Sequence, residues 1–248
     1  MDLGLNGRAY IVTGASRGLG RATAQALVDD GANVVVSGRT TQHVERAATE
    51  LGTGAVGVVA DNADPRTPQL LVDRARQKFG RLDGLLVSVG GPPAGAFGQI
   101  DDGQWRDSFE TVFLGAVRLV RAATPVLEPG AAIALVLSSS VRSPIANLTL
   151  SNAFRPGLAI LVKQLADELG PRGVRAMALL PGRILTERTA ALDAGDPDAR
   201  RRSEAAIPLR RLGEPAEFGR VAAFVLSPAA SYLTGSVVAV DGGVIRTM

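Results

Sequence analysis

The chain has no cysteine and a single histidine, His43. Disulfides, thiol nucleophiles and thiolate metal centres are therefore excluded, and a zinc site has almost no nitrogen or sulfur ligands to draw on. Lysine is nearly absent, with only Lys78 and Lys163, so the basic residues that set the sequence pI at about 9.9 are almost all arginine. Neither sign of charge dominates, since 27 basic residues face 24 acidic ones. The two interleave along most of the chain, which argues against a nucleic-acid footprint. No run of 18 apolar residues occurs, and MDLGLNGRAYIVTG lacks the basic-then-apolar pattern of a signal peptide. A cytoplasmic protein with no membrane partner and no metal is expected.

What remains is a chain of 248 residues, 46% hydrophobic, long enough to bury one full core. Short apolar runs recur at Ala9–Val12, Asn33–Val36, Ala55–Val59, Gly84–Val89, Ala132–Leu137, Val174–Leu180 and Val237–Val240. Between them lie amphipathic stretches with helical periodicity: Gly18–Asp29, Thr41–Leu51, Pro65–Phe79, Trp105–Leu127, Asn152–Leu169 and Pro215–Leu226. Continuous apolar strands separated by helices predict a parallel sheet covered on both faces. The expectation is a single α/β domain over residues 1–248, a Rossmann-type doubly wound sheet of about seven strands. Residues 186–212, rich in Asp, Gly, Pro and arginine, break this rhythm after a strand end. Ligands of such sheets bind beyond the carboxyl ends of the strands, so this segment is expected to form a substrate lid.

IVTGASRGLGRATAQAL sets Gly14, Gly18 and Gly20 between the first strand and the first helix. Glycines there permit a tight turn and close backbone approach to a diphosphate, which the helix N-terminus attracts. The end of the second strand reads VVVSGRT and carries no acid for a ribose 2′-hydroxyl. Arg39, helped by Arg17, can instead pair with a 2′-phosphate, so NADP(H) is expected over NAD(H). Asp61, at the end of the third strand, is placed either to accept from the adenine amino group or to cap the turn before Pro65.

TGASRGLG, DGLLVSVGG, PGRILTE and the closing RLGEPAEFGRVAAFVLSPAASYLTGSVVAVDGG together resemble the short-chain dehydrogenase/reductase family, close to the 3-oxoacyl-carrier-protein reductases. The likeness runs end to end. It implies cofactor contacts from Ser16, Leu19, Asn62, Gly90, Pro181 and Gly182. It also implies that the Ile184 backbone and the Thr186 side chain meet the nicotinamide carboxamide. A homotetramer built through helices near 105–127 and 152–169, acting on a small-molecule substrate, is implied as well.

The chain departs from the family pattern where the chemistry lies. Val112 stands where the family has an Asn, and the NNAG motif becomes Val87, Ser88, Val89 and Gly90. The catalytic serine falls on Ser138 or Ser139. The tyrosine and lysine positions hold Ser151 and Arg155. A tyrosine of reference pKa near 10 can be made to carry charge near neutrality, whereas an aliphatic hydroxyl cannot. Loss of a general acid/base commonly lowers rate by roughly 10²–10⁴-fold.

Pro156 predicts a late helix start, with Ser151 or Asn152 as cap and distortion at 152–155. Two functions are in view: an oxidoreductase acting on a carbonyl or alcohol, and a catalytically inactive dinucleotide-binding protein with a regulatory or assembly role. A lyase or isomerase that uses the cleft without hydride transfer is a third. Arg142 and Arg183 are candidate anion contacts or ordinary solvated arginines. The Gly90–Gly98 loop, GGPPAGAFG, is expected to wall the substrate cleft without identifying its ligand.

Overall fold

A computed structural model describes residues 2–247. Seven strands form one sheet: β1 (Ala9–Val12), β2 (Asn33–Gly38), β3 (Ala55–Val59), β4 (Gly84–Val87), β5 (Ala132–Val136), β6 (Arg175–Pro181) and β7 (Ser236–Val240). Their spatial order is β3-β2-β1-β4-β5-β6-β7 and every pairing is parallel. The winding direction reverses between β1 and β4, so the loops after these two strands diverge and open a crevice. Thr13 ties them together just there. Its hydroxyl donates to the Ser88 carbonyl at 2.9 Å and accepts from the Ser88 N–H at 3.0 Å.

Side chains alternate across the sheet and feed two cores. Ile11, Val35, Leu85 and Ile133 pack on one face with Leu71, Leu119 and Leu158. Tyr10, Val12, Val34 and Leu86 pack on the other with Leu27 and Phe218. Helices α1 (Gly18–Asp29), α2 (Thr41–Leu51) and α3 (Thr67–Phe79) follow the first three strands. The first two have the bounds their periodicity predicts; α3 starts two residues later than Pro65, inside the turn that Asp61 and Asp64 close.

The expected helix 105–127 is not continuous. It divides into α4 (Asp102–Ser108), a π-helical stretch (Phe109–Leu114) and α5 (Gly115–Ala123), followed by one 3₁₀ turn. Phe109 and Phe113 stack at 5.5 Å, Trp105 meets Phe154 edge-on, and Val112 is buried in the wide turn between them. Hydrophobic periodicity alone does not distinguish i→i+4 from i→i+5 winding, so this break had no sequence signal.

The expectation for Pro156 is overturned. Helix α6 (Thr149–Leu169) runs through Asn152–Arg155 in helical geometry with Pro156 in its interior, and Leu148 is its N-cap. Neither Ser151 nor Asn152 caps it. The Asn152 amide instead closes the preceding loop, accepting from Ile145 N–H at 3.1 Å and donating to Ile145 O at 2.9 Å. A mid-helix proline costs about 3 kcal/mol. Leu150, Leu158 and Val162 on the same helix are each almost fully buried, and each such burial contributes about 1.5–3 kcal/mol. Packing outweighs the local preference.

After β6, residues 186–212 hold two short helices, α7 (Glu187–Asp193) and α8 (Ala199–Ala206), and α9 (Pro215–Leu226) then packs beside α1. Among the described residues, no helix is long and apolar enough to cross a membrane.

Candidate active site

The turn from β1 into α1 is built on two glycines with left-handed backbone. Gly14 has φ 58°, and a Cβ there would meet the Ser88 carbonyl oxygen at 2.5 Å. Gly18 also has φ 58°, and a Cβ on it would have only the Thr186 methyl within 4 Å, at 3.8 Å. The first site is closed by backbone and the second opens into free space at the start of α1, where N–H groups lack partners. A diphosphate fits that opening. Thr186 stands over Gly18 as the N-cap of α7, its hydroxyl accepting from Thr189 N–H at 3.3 Å.

At the end of β2, Ser16 lies against Gly38, and Arg39 is exposed with no carboxylate partner among the described residues. Arg17 differs: it is ion-paired with Glu187 at the start of α7, across the mouth of the crevice. Of the two guanidiniums assigned to a 2′-phosphate, Arg39 is thus the unengaged one. The Asp61 carboxylate accepts from Ala63 N–H at 3.0 Å and its carbonyl accepts from the Thr67 hydroxyl at 2.6 Å, so it closes the turn into α3. Leu19 and Asn62 are half-buried nearby. Gly90 leaves open space where a Cβ would project, past the end of β4.

Beyond β5 the three serines take different places. Ser138 accepts from Ser140 N–H at 3.1 Å and starts a 3₁₀ turn, while Ser139 is half-exposed. Ser140, which the family spacing did not single out, is the serine that reaches Ser151. Their hydroxyl oxygens are 3.3 Å apart and both residues are buried. Arg155 sits one turn along α6, 6% exposed. One of its terminal nitrogens donates to Val136 O at 2.7 Å and Leu137 O at 2.8 Å, plugging the carboxyl end of β5. Burial, and then the charge of Arg188, lower its pKa to about 10. It remains a cation at neutral pH.

Pro181 ends β6 opposite Val240, and a Cβ on Gly182 would strike Asp241, whose carboxylate organises the next turn. Ile184 is buried, its carbonyl accepting from the Thr189 hydroxyl at 2.6 Å. Arg183 pairs with Asp193 through one terminal nitrogen, while its buried Nε has no partner among the described residues. Arg142 is exposed and unpaired among the described residues. On the opposite wall, Gly95 N–H donates to Asn147 O at 2.7 Å and the Thr149 hydroxyl donates to Gly95 O at 2.9 Å, binding the Gly90–Gly98 loop to the entrance of α6. Arg188, also unflagged by any sequence motif, bridges from α7 to Pro92 O at 2.8 Å. A groove of about 860 Å³ between α1 and α9 opens beside the mouth of the crevice, lined by Gly18, Leu185, Thr186 and Glu187 together with Arg21 and Phe224.

A parallel sheet with a glycine turn at its switch point defines a nucleotide-binding α/β protein. The comparisons make this specific. The family described as enoyl-(acyl carrier protein) reductase matches residues 14–245. The 3-oxoacyl-acyl-carrier-protein reductase FabG of Salmonella typhimurium is 31% identical over 97% of this chain and 98% of its own. The cis-4-hydroxycyclohexanecarboxylate dehydrogenase of Sinomonas cyclohexanicum is 33% identical over 95% and 96%. The structure of L-sorbose reductase from Gluconobacter frateurii, complexed with NADPH and L-sorbose, superposes with a TM-score of 0.93 at 28% identity over the whole of both chains. The chain belongs to the short-chain dehydrogenase/reductase family of oxidoreductases.

Proposed function

We propose that this protein is an NADP(H)-dependent short-chain oxidoreductase that acts on a carbonyl or alcohol of a small molecule, in the manner of a 3-oxoacyl reductase but with a non-standard active site. The observation that carries the reading is the turn at Gly14 and Gly18, closed beneath and open above, with Arg39, which has no carboxylate partner among the described residues, at the adjoining strand end. Relatives named as reductases and dehydrogenases, one of them holding NADPH, support oxidoreduction over a purely binding role.

Gly14, Ser16, Arg17, Gly18, Leu19 and Gly20 line the diphosphate, with Arg39 at the 2′-phosphate, and Asp61, Asn62 and Gly90 flank the adenosine half. Pro181, Gly182, Ile184 and Thr186 border the nicotinamide. The dinucleotide supplies the hydride. The Ser151 hydroxyl, oriented by Ser140, polarises the carbonyl, and Ser138 and Ser139 offer further donors at the rim. A serine that gave up its proton would be left as an alkoxide it cannot hold near neutral pH, so the proton comes ultimately from solvent water, which releases hydroxide to bulk. Arg155 contributes fixed positive charge in a site of low dielectric. Residues 186–212 act as the lid, held shut by Arg17–Glu187 and Arg188–Pro92.

Calorimetry tests the cofactor. A charge-assisted hydrogen bond is worth about 1.5–3 kcal/mol, so Arg39→Ala is expected to weaken NADPH binding about 10- to 100-fold and leave NADH unchanged. Equal losses for both would refute the assignment. NADPH oxidation across a panel of 3-oxoacyl and other carbonyl compounds, diminished in Ser151→Ala, tests the chemistry. Tight NADPH binding without turnover on any of them would remove the oxidoreductase reading.

A further inference from the structure

Arg118 of α5 is mostly buried, its side chain 19% exposed. One terminal nitrogen, Nη1, donates to the Glu110 carboxylate at 2.7 Å and to the Ala63 carbonyl at 3.2 Å. Glu110 belongs to the π-helical stretch, eight positions earlier. Residues eight apart are separated by about 12 Å along an ordinary α-helix, and helical ion pairs form at three or four. The wider i→i+5 turn between Glu110 and Arg118 shortens that span, and such interruptions are frequent at functional sites. The same segment meets the loop after β3 at a second point. Gly115, the first residue of α5, has no room for a side chain, because a Cβ there would lie 2.4 Å from the Asn62 carbonyl oxygen. Two consecutive carbonyls, Asn62 and Ala63, are therefore set by α5, one through contact and one through a hydrogen bond. Asp61, just before them, accepts from Ala63 N–H within the turn.

We infer that Arg118 is a positioning residue for the adenosine half of the dinucleotide. It acts through the Ala63 carbonyl, holding Asp61 and Asn62 in place at the carboxyl end of β3. The inference rests on the cofactor reading proposed above, which sets that half of the ligand against Asp61 and Asn62. Glu110 supplies a charged second partner that keeps the long arginine side chain in one orientation. A turn left unheld has to be ordered by the ligand, and that ordering subtracts from affinity.

Calorimetry on the full chain compares NADPH with adenosine 2′,5′-bisphosphate, which is the adenosine half alone. Arg118→Met is expected to weaken both about tenfold and by the same factor, since the affected part of the ligand is common to them. Arg118→Lys, which keeps a donor for the Ala63 carbonyl, recovers part of the loss. Gly115→Ala, which forces the Asn62 carbonyl away without touching the ion pair, gives the same matched loss and serves where Arg118→Met does not fold. A merely structural role has a different signature, because general loosening of the fold weakens NADPH, with its additional nicotinamide half, more than the bisphosphate. That unequal loss, or native affinity for both ligands in the substituted proteins, overturns the inference. If the native protein takes up neither ligand, the cofactor reading itself falls, and Arg118 has nothing to position.

Discussion

Tyr10 occupies the middle of β1 and is completely buried, its hydroxyl 3.4 Å from the Leu226 carbonyl. Burial, chiefly, pushes its pKa well above the ordinary value near 10, because a phenolate there would lose its hydration. The folded phenol therefore keeps its proton where the unfolded chain gives its proton up. This stability is fully present below about pH 10 and is lost as pH rises beyond it, by about 1.4 kcal/mol per pH unit. Thermal unfolding between about pH 9 and 11 should show the native protein falling more steeply than Tyr10→Phe; parallel curves would contradict it. The same single-residue reasoning separates Ser151 from the tyrosine that the family resemblance implies at its position. One can be tuned to hold charge, and the other acts only as a neutral hydrogen-bonding group.

Helix α6 shows what an element can absorb. Pro156 has no N–H to offer the carbonyl of Asn152, one turn earlier, yet the helix continues because its buried face anchors it on both sides. Pro156→Ala restores that hydrogen bond and is expected to stabilise the fold by about 1–3 kcal/mol, seen as a higher urea midpoint at constant m-value. Destabilisation would mean that the proline ring's own packing outweighs the lost bond. The Ser140–Ser151 pair and the seating of Arg155 both depend on α6 entering at Thr149, so this element places the wall we propose as catalytic.

For the whole molecule, α6 exposes Ile160 (73%) and the π-helical stretch exposes Phe109 (40%), which packs near Phe154 of α6. Exposed apolar side chains on these two elements are candidates for a contact between subunits. The homotetramer we propose should elute at about four times the 25.6 kDa chain mass. Ile160→Arg, which sets charge into that contact, should yield a smaller species by light scattering with an unchanged circular dichroism spectrum. A native monomer would end the proposal.

The order of strands and helices, and the glycine turn after β1, were legible because each is encoded locally: apolar runs of strand length, helical periodicity, and three glycines at fixed spacing. Arg39 at an acid-free strand end was legible for the same reason. Other features needed the folded chain. Three consecutive serines look alike in one dimension, and only the path of the 3₁₀ turn decides that Ser140 meets Ser151. Local rules for proline mispredicted α6 because the burial that overrides them comes from strands far along the sequence. Arg17 and Glu187 lie 170 positions apart, and Arg188 reaches a loop 96 residues earlier. The sequence by itself determined the seven strands, the first helices and the glycine turn after β1, since short-range sterics and hydrophobic pattern suffice for these. Only the tertiary structure decided which charges are neutralised and which are left open, because pairing is a matter of distance in space.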